Sequence, residues 1–145
     1  MYTGLLHAHS GLRWVVLILL IAAIFNAFGK KNGGVWTAKD KKITLFAMVF
    51  THIQLVLGII LYFMSPKVQF VNSMINETTL RFYTVEHISL MLLAIVAITI
   101  GYRKSKRSLH DSEKFKIVAL CYSIGLLLIL FGIPWPFRGL GTTWI

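Results

Sequence analysis

The sequence predicts an all-α membrane protein: four transmembrane helices in an up-down-up-down antiparallel bundle, with both termini outside. Three observations carry that expectation. Of 145 residues, 57% are hydrophobic and only 14% charged, where soluble domains carry about 25% charged residues. The apolar residues gather into four runs, each near the ~20 residues a helix needs to cross a bilayer core. Most cations fall in two stretches between those runs. A mean hydropathy of +0.73 fits the same class.

The runs cover residues 5–28, 43–64, 82–102 and 115–133 and form a single domain. They are continuously apolar and too long for strands, which favours helices. Breakers follow three of them: Gly29, Gly33 and Gly34 after the first, Ser65-Pro66 after the second, Pro134 and Pro136 after the fourth. The first run lacks a preceding basic region and is expected to be a retained helix, not a leader. Lys30, Lys31, Lys39, Lys41 and Lys42 occupy the first connection. Arg103, Lys104, Lys106, Arg107, Lys114 and Lys116 occupy the third. The other side has Lys67, Arg81 and Arg138, so the positive-inside rule places both basic loops in the cytoplasm. Trp135, Phe137 and Trp144 are then expected at the outer interface, and the apolar connection 65–81 along the membrane surface or capping the bundle.

The net charge of +10 does not imply nucleic acid, because basic loops at a membrane surface account for it. The single cysteine, Cys121, excludes a disulfide within the chain. No Cys-x-x-Cys-His occurs, so any haem is expected to be held non-covalently.

Histidines carry the candidate chemistry. His110 lies in a basic loop, whereas His7, His9, His52 and His87 lie in or at apolar runs, where ionisable groups usually face the bundle interior. At 1.5 Å per residue, His9 sits about 6 Å below the start of its run and His87 about 7 Å below its own. His52 lies about 18 Å down, in another layer. His9 and His87 are therefore the expected pair of metal ligands, with His52 or His7 as alternatives. His7 and His9 cannot both face the bundle, and His9 is preferred because His7 falls at the helix's frayed end. A bis-histidine haem needs this arrangement: two imidazoles at one level on separate helices.

Arg13 shares the His9 face one turn deeper, and Glu86 precedes His87. Two alternatives stand: a structural Arg13–Glu86 pair, or Arg13 on a haem propionate. His52, Gln54 and Gly58 also have two readings. One is an interhelical contact with Gly58 allowing close approach. The other is a second haem ligand, or a hydrogen bond to a quinone or porphyrin.

The segments His9-Ser10-Gly11-Leu12-Arg13-Trp14-Val15-Val16-Leu17, Gln54-Leu55-Val56-Leu57-Gly58 and Glu86-His87-Ile88-Ser89-Leu90-Met91-Leu92-Leu93-Ala94 resemble, in order and orientation, the histidine, glutamine–glycine and second histidine helices of one four-helix half of the haem A synthase superfamily. The resemblance covers three of the four runs. It implies a small b-type membrane cytochrome of a bacterial cytoplasmic (inner) membrane, with His9 and His87 as axial ligands of haem b. The fused second half is missing, and the outer connection has only Glu77 and no cysteine. What carries over is cofactor binding, not the synthase reaction.

The function expected is electron transfer to or from a quinone or partner redox protein, without stand-alone catalysis. The alternative is a non-catalytic accessory subunit of a larger membrane complex, its histidines and charges serving as interhelical glue. Expected partners are membrane lipid and other membrane subunits or further copies of the chain.

Overall fold

A computed structural model describes residues 1–142 and 144. Four long helices dominate: α1 (Tyr2–Lys30), α2 (Ala38–Met64), α3 (Thr78–Arg107) and α4 (Asp111–Gly132). All four are long and apolar enough to cross a membrane. Each contains the matching predicted run almost entirely, and all four extend beyond it at the basic end. Lysines and arginines continue those helices, because their aliphatic stems lie along apolar surface while the charges stay wet.

The helix ends follow from local chemistry. After α1, Gly34 N–H donates to the Lys30 carbonyl at 2.8 Å, and Gly33 holds a φ of 137°, which only glycine adopts without strain. A Thr37–Asp40 capping box opens α2. Ser65, which Pro66 disfavours from the helical region, closes it in extended backbone. Asp111 and Glu113 lie in the first turn of α4, where carboxylates complement the helix dipole. Ile133, ahead of Pro134, is extended and ends α4. Between α2 and α3 the connection caps the bundle: Gln69 N–H donates to Thr84 Oγ1 at 3.1 Å. The connection is shorter than its predicted 65–81, because α3 already begins at Thr78.

Helix α1 packs on α2 and α4, and α3 packs on the same two. Hence α1 faces α3 across one diagonal of the bundle, and α2 faces α4 across the other. Small residues let the backbones approach: Ala23, Ala27, Ala47, Ala94 and Ala119 are all buried. The packed core fills the half toward the basic loops, around Leu20, Ile98, Phe115 and Val118. There Tyr122 spans the α2–α4 diagonal and donates to the Thr44 carbonyl at 2.8 Å. Fully buried Asp40 ties this end together. It accepts from Asn26, Lys30 and Thr37 at 2.6–2.8 Å.

The outward faces are apolar. Phe25 is 73% exposed, Phe63 83% and Phe131 69%, and Ile18, Val56, Leu93, Val96 and Leu127 join them. In water, apolar exposure on this scale would drive association; in lipid it is the expected finish of a spanning helix. The chain is a multi-pass membrane protein by this measure.

Candidate functional site

Toward the termini, the same bundle is open. A cavity of about 260 Å³, partly open to the surroundings, lies among all four helices. Among the α1 residues that line it are His9, Arg13 and Val16, spaced i, i+4, i+7 along one helix face. Thr51, Gln54, Leu55 and Gly58 form the corresponding stripe of α2, and His87, Met91 and Ile95 that of α3.

His9 and His87 meet across the α1–α3 diagonal with ring centroids 6.4 Å apart and planes at 70°. His87 follows directly on a π-helical turn, Phe82–Glu86, with its backbone N–H on the Phe82 carbonyl five residues back. Such a turn inserts a residue and re-aims the side chains beyond it, and π turns recur at functional sites. His87 Nδ1 donates to the Gly132 carbonyl at 2.7 Å. That carbonyl is one of the four a helix C terminus leaves without an intrahelical donor. The bond fixes the tautomer and leaves Nε2 with its lone pair. The His9 ring packs on Gly58, where an added Cβ would lie 3.1 Å from His9 Cε1. Gln54 Nε2 donates to the His9 backbone carbonyl at 2.9 Å. Buried and without hydrogen-bond partners among the described residues are His9 Nδ1, Arg13 Nε and Gln54 Oε1, all belonging to residues that line this cavity.

Against protein-family models, curated proteins and solved structures, the chain matches none.

Its site must therefore be read from its own chemistry. Among the described residues no three of His, Cys, Asp and Glu cluster; the imidazoles that meet at the cavity are those of His9 and His87. A ring nitrogen lies about 1 Å from its centroid and a metal–imidazole bond is about 2 Å, so two axial imidazoles on one ion set their centroids about 6 Å apart. The observed 6.4 Å matches that separation. An edge-to-face aromatic contact has a similar spacing. Beside the pair lie a cavity and three buried polar atoms without partners among the described residues, groups that a bound ligand or ordered water would satisfy. Among the described residues no acidic side chain lines the cavity, whereas Arg13 and Lys67 do, so it favours an anionic ligand. Its volume lies just below the ~300–1,000 Å³ of ordinary small-molecule pockets, and its open side leaves a larger ligand partly uncovered.

Arg13 turns toward the chain's end: its Nη2 donates to the Trp144 carbonyl at 2.7 Å, and its guanidinium lies 5.2 Å from the Trp14 ring. Glu86 does not pair with Arg13. It accepts from Arg81 Nε at 2.7 Å and does not line the cavity, because the π turn brings residues five apart to one side of the helix. Both partners are more than one-third exposed, which limits such a pair to about 0–1 kcal/mol.

His52 lies apart from the pair. Its Nδ1 donates to the Met48 carbonyl at 2.8 Å, and its Nε2 lies 3.3 Å from Thr99 Oγ1 on α3. That is an interhelical contact. Gln54 and Gly58, by contrast, border the cavity. His7 is exposed.

Three contributors are not legible as site residues in sequence reasoning: the Gly132 carbonyl, Lys67 and Tyr83. Lys67 Nζ donates to the Gly141 carbonyl at 2.9 Å and lies 4.9 Å from the Tyr83 ring centroid. A glycine two residues before a proline is a signal for the first, since it marks a helix end with free carbonyls.

Proposed function

We propose that the protein is a haem b-binding membrane cytochrome that passes single electrons to or from a quinone or partner redox protein. The observation that carries the reading is the His9–His87 pair: two imidazoles from diagonally opposed helices, 6.4 Å apart beside one cavity. His87 donates its other ring N–H to a backbone carbonyl, as metal-ligating histidines usually do. His9 and His87 would hold the iron, Arg13 and Lys67 would attract the carboxylates, and Val16, Leu55, Met91 and Ile95 would exclude water. Bound haem supplies a one-electron couple.

In this reading the chain sits in a bacterial cytoplasmic membrane with the site near the outer face. The placement rests on the two basic loops, which belong on the cytoplasmic side.

The test is reconstitution of the purified chain with haem b, followed by spectra of the oxidised and reduced forms. Stoichiometric binding with a sharp Soret band and a reduced-state α band is expected, and His87→Ala should abolish both. Co-purification in a larger complex with no pigment, and no uptake of added haem, would favour the accessory-subunit reading instead.

A further inference from the structure

The two imidazoles are held unequally. His87 has its Nδ1–H on the Gly132 carbonyl at 2.7 Å, a backbone acceptor in a packed helix seam. Gly132 is buried at the seam between α3 and α4, close against Leu90 and Met91. Opposite it, His9 Nδ1 is buried with no partner among the described residues. Its neighbour on that side is Gly58, which has no side chain to anchor a ring. Gln54 holds the His9 backbone carbonyl, not the imidazole. His9 also lies only two turns from the start of α1, where helices fray most readily.

Building on the haem reading above, we infer that His87 is the fixed axial ligand and His9 the exchangeable one, so that a small neutral ligand of the carbon monoxide or nitric oxide class enters on the His9 side. In the exchange the His9 nitrogen lone pair would leave the iron and a lone pair on the incoming ligand, on carbon for carbon monoxide or nitrogen for nitric oxide, would take its place; no electron is transferred. Outer-shell partners are worth about 10–100-fold in metal affinity, which sets the expected difference between the two histidines. The site thereby gains a ligand-binding function that a rigid bis-histidine centre lacks.

The experiment uses the full chain in detergent, loaded with haem b. Reduced wild-type protein titrated with carbon monoxide should give a new Soret position with clean isosbestic points. His9→Ala should retain haem about 10–100-fold better than His87→Ala. It should also bind carbon monoxide more tightly than wild type, and added imidazole should restore its bis-imidazole spectrum. Wild type that binds haem yet takes up no carbon monoxide would overturn the inference and leave the cytochrome reading intact. So would equal haem loss in the two variants. A wild-type chain that binds no haem overturns both, and the wild-type titration needs no variant to fold.

Discussion

At the scale of single residues, glycine decides much of the site's geometry. Gly58 lets the His9 ring lie against α2, with room for a Cβ only if the ring yields by a few tenths of an ångström. Alanine is a better helix former than glycine by about 1 kcal/mol. Gly58→Ala therefore separates site from scaffold: thermal stability in detergent should hold or rise, while haem affinity falls several-fold. Unchanged affinity would show that the ring is not confined there. Gly132 acts differently, through its backbone. Its carbonyl is free because α4 ends ahead of Pro134, and His87 supplies the missing donor. One hydrogen bond thus completes a helix terminus and orients an imidazole.

At the scale of elements, the α3–α4 seam is the tightest in the bundle. Gly101 faces Cys121 and Tyr122, Gly125 faces Ile98, and Gly132 faces Leu90 and Met91. A Cβ on Gly125 would come within 2.5 Å of Ile98 Cγ1, a contact that packing does not tolerate. Gly125→Leu should therefore lower stability by about 1–3 kcal/mol, the usual cost of overpacking. Gly29→Ala, where nothing lies within 4 Å of an added Cβ, should not; equal unfolding midpoints in detergent would refute the seam. Among the described residues α1 and α3 form no such seam, and the π turn ahead of His87 sets the angle at which that helix presents its imidazole. Tight packing on one side of α3 leaves the cavity on the other.

Over the whole molecule, the two halves of the bundle divide the work. Toward the basic loops, the core is closely packed and cross-braced by Tyr122 and Asp40. Toward the termini, the diagonal is left to two histidines and a cavity. Charge follows the same axis, and it makes the orientation testable. In a Cys121→Ser background, a cysteine introduced as Asn76→Cys should react with a membrane-impermeant thiol reagent in intact cells. One introduced as His110→Cys should react only after lysis. The reverse pattern would place the site on the cytoplasmic side and overturn the positive-inside assignment.

What the sequence by itself determined is the scaffold, because hydropathy, helix length and breaker residues are local properties. The four runs, the Ser65-Pro66 and Pro134 stops and the two basic loops are all legible there. The matched depths of His9 and His87 were legible too, since rise per residue converts position into height. Rotation about each helix axis was not. It depends on which side chains the neighbouring helices can accommodate and on an inserted π residue that no local pattern marks. So only the tertiary structure decided that Glu86 turns to Arg81, that His52 bonds across to Thr99, and that the Gly132 carbonyl anchors one imidazole of the pair and leaves the other free.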